Sequence, residues 1–141
     1  MLRSDLYEVM MACTRGELSE QLVQWSSNAA TTVVMAAPGY PAKYDKGIPI
    51  TGLSAAMATE GVTVYHAGTK KVSADSGANA DSQFVSSGGR VLTVTGVGAN
   101  LGEAIERAYA GAKAISFECE GGAMFRTDIA AKAKLQEQVA V

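Results

Sequence analysis

Several residue types that often announce chemistry or architecture are scarce in this chain. His66 is the single histidine, so a histidine-rich metal centre is excluded. A self-contained serine or cysteine hydrolase would have to take its base from that one imidazole, and nothing in the sequence places Cys13 or Cys119 beside it. These two cysteines lie far apart without C-x-x-C spacing, which reads as two reduced thiols in a cytoplasmic protein rather than a disulfide framework or a zinc site. Charge of one sign is also in short supply, with a formal net charge of −2. There is no basic stripe to hold nucleic acid and no acidic run to make a disordered tail. No apolar run approaches a membrane span, and the N-terminus lacks the apolar stretch of a signal peptide. The expected partners therefore include no nucleic acid and no membrane. Phosphate-binding motifs are missing as well. No Gly-Lys-Ser/Thr loop occurs, and Gly96-x-Gly98 lacks the third glycine of a dinucleotide fingerprint. Asp75 and Asp81 have no regular ligand spacing, so a solvated loop is the expectation there.

What is present fits one ordinary domain able to bury a core without staples. Ser4 is expected to cap a helix starting at Asp5, with Leu6, Val9, Met10 and Cys13 on one face and Gly16 as its stop. Gln21 to Trp25 is a weak strand candidate. Thr31 to Ala36 is a stronger one, apolar enough to predict burial on both faces. Pro38-Gly39-Tyr40-Pro41 must turn, and the proline in Ile48-Pro49-Ile50-Thr51 predicts an edge strand. Ser54 to Thr59 reads as a short helix. Asn100 caps the clearest helix, with Glu103 three residues on as in a capping box and Leu101, Ala104, Ile105, Ala108, Ala112 and Ile115 as its apolar stripe. Phe117 opens an edge strand broken by Gly121-Gly122, and Ala130 to Val139 reads as a terminal helix. The fold class is α+β, a mostly antiparallel sheet with flanking helices.

The stretch Val62 to Val97 concentrates the candidate chemistry. Val62 to Ala67 alternates, placing Val64 and His66 on one face and Thr63 and Tyr65 on the other. Ser73 to Ser82 is a polar surface loop between hairpin strands, Gln83 to Ser86 a short return strand, and Arg90 to Val97 a strand. His66 is either a histidine bonded near a strand end or a substrate contact, and Gly68-Thr69 forms a turn able to present N–H groups. Gly88-Gly89-Arg90 reads either as a hairpin turn ending in a surface arginine or as an anion contact, since a planar guanidinium suits phosphate or carboxylate. Arg126 and Asp128 can pair with each other. Tyr40 is a packing plug or the rim of a site.

Six segments occur in a telling order: Leu2-Arg3-Ser4-Asp5-Leu6, Gly39-Tyr40-Pro41 with Tyr44-Asp45-Lys46-Gly47, Ile50-Thr51-Gly52, His66-Ala67-Gly68-Thr69, Gly88-Gly89-Arg90-Val91-Leu92 and Arg126-Thr127-Asp128-Ile129. From Leu2 to about residue 133, the chain resembles the C-terminal part of the glycinamide ribonucleotide synthetases (phosphoribosylamine–glycine ligases). These are ATP-grasp ligases of de novo purine biosynthesis. The resemblance implies the C-terminal (rudiment single hybrid motif) domain for 29–141 and the last helix and exit segment of the ATP-grasp domain for 1–28. It implies that the intact enzyme joins glycine to 5-phosphoribosylamine, using ATP and Mg or Mn, and releases ADP and phosphate. The chain alone is then expected to bind none of these cofactors and to be inactive, its partners being the missing N-terminal and ATP-grasp domains. Arg90 becomes the expected phosphate contact, with Gly88, Gly89, His66, Gly68 and Thr69 around it and Tyr40 at the rim. No catalytic residue and no metal ligand is carried over. Pro38 in place of a glycine, Phe125 in place of a tyrosine, and longer stretches at Ser73 to Ser82 and Glu118 to Met124 depart from the pattern. A free-standing, non-catalytic ligand-binding or assembly module of the same fold is the alternative reading.

Overall fold

A computed structural model describes residues 1–72, 83–133 and 135. The first helix, α1 (Leu6–Arg15), is capped by Asp5, whose carboxylate accepts from the N–H groups of Tyr7 and Glu8, and it closes at Gly16 with φ 70°. Ser4 does not cap it. Its Oγ donates to the Leu22 carbonyl at 2.6 Å and accepts from the Gln24 N–H at 2.7 Å, tying the N-terminus to the chain beyond α1. Two adjacent residues could cap, and the carboxylate one position nearer the helix does so. Gln21 to Trp25 is likewise not a strand: a 3-10 turn occupies Glu20–Leu22, and only Trp25 forms a bridge, with Leu2. Within 1–28 only Ala12 is buried.

The domain proper has two antiparallel sheets where one was expected. The first contains β1 (Ala29–Ala36), β3 (Val62–His66) and β6 (Arg90–Gly98) in the order β1-β6-β3. The second contains β2 (Pro49–Thr51), β4 (Thr69–Lys71), β5 (Phe84–Ser86) and β7 (Ser116–Phe117) in the order β4-β5-β2-β7. Helix α3 (Leu101–Ala114) lies across one face of the first sheet, and α2 (Leu53–Ala58) packs beside α3 and β3. Met35, Ile50, Leu92, Val33, Val91 and Val94 are fully buried in one core that both sheets share.

Three features make this packing possible. On β1, Thr31, Val33 and Met35 face the core while Thr32 and Val34 are exposed. The strand is therefore buried on one face and not on both, because α3 covers a single side of its sheet. Helix α3 approaches closely because its contact stripe is Ala104, Ala108 and Ala112, and because Gly96 faces it; a Cβ on Gly96 would strike the backbone of Ala104 and Ala108. Asn100 Oδ1 accepts from the Glu103 N–H at 2.9 Å, as expected of the cap, while Glu103 Oε2 accepts from the N–H of Ala99, one residue before the cap, at 2.7 Å.

Strand β2 corrects the edge expectation, since it is interior to its sheet. Proline is tolerated there because Pro49 is the first residue of the strand. The hydrogen bonds to β5 at that end are made by Ile48, whose N–H donates to Ser86 Oγ and whose carbonyl accepts from the Ser86 N–H. Pro49 contributes its carbonyl on the other side, to the N–H of Glu118 just past β7, so its missing donor falls where that partner strand ends. The loop expected over Ser73 to Ser82 lies outside the described residues. So does half of the terminal helix expected over Ala130 to Val139; the described part is helical at 131–133 and 135.

Candidate functional site

Two chain crossings between the sheets create the candidate site. The chain leaves the first sheet after β3, turns through Ala67 and Gly68, and enters the second as β4. It returns from β5 through Ser87, Gly88 and Gly89 into β6. The crossings lie against each other. The Gly68 N–H donates to the Arg90 carbonyl at 2.9 Å, and the Gly68 carbonyl accepts from Ser87 and Gly88 at 2.7 and 3.2 Å. A Cβ on Gly68 would sit 2.6 Å from the Arg90 carbonyl oxygen and 2.8 Å from the Gly88 Cα, so no side chain fits. The Gly68 N–H is thus spent within the fold.

Gly89 serves a second contact. Its carbonyl accepts from the Ala37 N–H at 2.8 Å, and a Cβ there would run into the ring of Tyr40. Tyr40 follows Gly39, which has φ 88°, and precedes Pro41 across a cis peptide bond. Its ring meets Tyr44 edge to face with centroids 5.9 Å apart. The half-buried Tyr40 therefore both packs on Gly89 and lines a surface groove.

His66 ends β3 exposed. Its Nδ1 lies 2.9 Å from Thr69 Oγ1 across the Gly68 turn, and its ring rests on Phe84 with centroids 4.4 Å apart. This pins the imidazole to the turn. Arg90, the first residue of β6, is exposed and faces Ala36 where the β1–β6 register slips by one residue. Bulges bend a strand and re-aim its side chains. All seven residues singled out from sequence, Tyr40, His66, Gly68, Thr69, Gly88, Gly89 and Arg90, therefore gather at one corner, where the sheets meet.

One wall of this corner was not legible in advance. The segment from Ala123 to Thr127 joins the end of β1 through paired hydrogen bonds between Ala36 and Met124, at 2.7 and 2.9 Å. With Val34, Ala36 and Tyr40 it lines an open groove of about 500 Å³. Tyr109, on α3, fixes the segment's exit: its hydroxyl donates to the Arg126 carbonyl at 2.9 Å and accepts from the Ile129 N–H at 3.0 Å. Arg126 and Asp128 form the expected pair, with two hydrogen bonds of 2.8 and 2.6 Å. That bonding holds the Asp128 carboxyl below the usual range and raises Arg126 above its own. Phe125, the Arg126 to Ile129 segment and the stretch before them were marked in the sequence, but nothing there placed them against β1. Arg90, His66 and Thr69 are thus rooted on one backbone corner, with Arg90 and His66 exposed. The corner lacks the cluster of a metal site: among the described residues, no three or more His, Cys, Asp or Glu side chains converge.

Comparison with known proteins adds a family match, three relatives and a solved structure. Residues 30–132 match the family model described as phosphoribosylglycinamide synthetase, C domain. The chain is 45% identical over 130 residues to a phosphoribosylamine–glycine ligase of Nostoc sp., covering 92% of this chain and 28% of that protein. It is 44% identical over 140 residues to the chloroplastic phosphoribosylamine–glycine ligase of Arabidopsis thaliana, covering 99% and 24%, and 44% identical over 134 residues to the human trifunctional purine biosynthetic protein adenosine-3, covering 94% and 12%. The crystal structure of a phosphoribosylamine–glycine ligase from Thermotoga maritima superposes with a TM-score of 0.62 at 32% identity, over 87% of this chain and 27% of that one. The chain thus spans less than a third of the length of each of these relatives.

Proposed function

The chain belongs to the phosphoribosylglycinamide synthetase C-domain family, and from that premise we propose that it works as the C-terminal portion of a phosphoribosylamine–glycine ligase. In this reading the whole polypeptide condenses glycine with 5-phosphoribosylamine at the expense of ATP, and this portion closes one side of the substrate cleft. The domain boundary falls after residue 28. Support for it comes from the family match starting at residue 30, from β1 starting at Ala29, and from the lack of a core in 1–28. That leading segment is then the end of the ATP-grasp domain. ATP and its Mg or Mn belong to the preceding domains.

The observation that carries the site reading is the interlock of Gly68 with Gly88 and Arg90, which fixes the start of β6 and so the root of an exposed guanidinium. Arg90 contacts the phosphate of phosphoribosylamine, with Thr69 and His66 beside it and Tyr40 at the rim. Gly88 and Gly89 act by letting the two crossings and Tyr40 close up. Loss of a hydrogen bond to a charged group costs about 1.5–3 kcal/mol, so Arg90→Ala in the full-length ligase should raise KM for phosphoribosylamine about tenfold or more. Its KM for glycine should stay put. An unchanged KM for phosphoribosylamine would remove Arg90 from the site.

A further inference from the structure

The Ala123 to Thr127 wall is held to the rest of the fold at few points. Among the described residues, the backbone from Ala123 to Ile129 is hydrogen-bonded to other elements in two places. Met124 exchanges two hydrogen bonds with Ala36, and the Tyr109 hydroxyl joins the Arg126 carbonyl to the Ile129 N–H. Positive φ angles flank the segment, 85° at Gly121 and 60° at Gly122 before it and 62° at Ala130 after it. The chain turns sharply at both ends, and a segment with so few ties opens locally unless each tie holds. The Tyr109 tie has a firm root. Ala108 and Ala112 beside it on α3 are fully buried where the helix packs on the first sheet, and the Tyr109 ring meets Phe125 with centroids 6.3 Å apart.

The hold of this segment reaches the candidate site within one residue. Ala36 sends its N–H to the Met124 carbonyl at 2.7 Å, and Ala37 sends its N–H the other way, to the Gly89 carbonyl at 2.8 Å. Arg90 is the register partner of Ala36 at the bulge. The end of β1 therefore stands between the Met124 segment on one side and the Gly89–Arg90 crossing on the other. We propose that Tyr109 is a positioning residue for the ligase reaction: its hydroxyl keeps the 123–129 segment on β1 and thereby holds the backbone from which Arg90 reaches phosphoribosylamine. The inference rests on the reading of the chain as a ligase C-terminal portion. Tyr109 itself touches no substrate in this scheme. Its hydroxyl already donates to one backbone group and accepts from another, so what it supplies is geometry. Small displacements of a binding group cost affinity and rate out of proportion to their size.

The test is Tyr109→Phe, which keeps the ring and removes only the hydroxyl. It is made in the isolated chain and in a chimera in which this chain replaces the matching segment of the Nostoc ligase. One neutral hydrogen bond is worth about two- to tenfold in an equilibrium, so losing both should speed hydrogen exchange at the Met124, Ala36 and Ala37 amides of the isolated chain by about tenfold. In the chimera, KM for phosphoribosylamine should rise by about two- to tenfold, with KM for ATP and for glycine unchanged. A lower melting temperature with an unchanged KM for phosphoribosylamine would make Tyr109 merely structural and overturn the proposal. Faster exchange confined to Met124 and Ile129 would overturn it too, because the effect would then stop short of Gly89. An unsubstituted chimera that forms no glycinamide ribonucleotide would defeat the ligase reading. Exchange at Ala37 in the isolated chain would then still decide whether Tyr109 holds the corner: acceleration in Tyr109→Phe sustains that hold, and an unchanged rate refutes it.

Discussion

Single residues in this chain often have more than one plausible use, and the fold decides between them by what lies a few ångströms away. Ser4 and Asp5 both suit a helix N-terminus, yet Ser4 Oγ is claimed by Leu22 and Gln24 and the cap falls to Asp5. Gly88 and Gly89 suggested close approach of backbone to an anion. In the fold the space a side chain would take at these positions is occupied by Gly68 and by the ring of Tyr40. No local pattern could reveal this, because the neighbours are some twenty to fifty residues away in sequence. The Arg126–Asp128 pair was legible, since an i, i+2 spacing on an extended segment puts both side chains on one side. It also fixes a pH dependence. Because the hydrogen bond from Arg126 depresses the Asp128 carboxyl, the pair is intact above the ordinary aspartate range and is lost only as pH falls through the lowered value. An NMR titration should show Asp128 titrating below about 3.9, the value of an unperturbed aspartate, with Arg126→Ala returning it there. A wild-type midpoint at the ordinary value would contradict the pairing.

At the scale of elements, the sequence was most informative where local chemistry alone decides. Helix α3 carries its cap, its acidic first turn and its alanine stripe in consecutive positions, and the structure uses all of them. Replacing Asn100 by Ala should cost about 1 kcal/mol, read as a melting temperature lower by a few degrees in the isolated chain. An unchanged transition would mean that the cap is redundant. Strands were harder. Composition marked β1 correctly as a strand but not its one-sided burial, which depends on α3 covering a single face. Proline placed β2 at an edge by a sound rule, but β7 is so short that the missing donor lies at its end and the strand can be interior. Division into two sheets also escaped prediction, because β3 and β4 are separated only by Ala67 and Gly68 and the change of sheet is set by their distant partners, β6 and β5.

For the whole molecule, the sequence contained enough ordered motifs to indicate both the α+β class and the family, and the family match confirms that membership over residues 30–132. The candidate site was legible as a set of residues but not as an enclosure, since the Ala123 to Thr127 wall arrives from the far end of the chain. The distribution of exposed apolar residues fits a piece of something larger. Leu6, Tyr7, Met10, Leu18 and Trp25 are all at least half exposed in a leading segment without a core of its own. The central claim is that this chain supplies the C-terminal part of a phosphoribosylamine–glycine ligase. The most direct measurement is formation of glycinamide ribonucleotide from ATP, glycine and phosphoribosylamine by a chimera in which this chain replaces the matching segment of the Nostoc ligase. The account predicts turnover comparable to the parent enzyme, lost when the transplanted segment is deleted. A chimera that folds and binds ATP yet forms no product would contradict it.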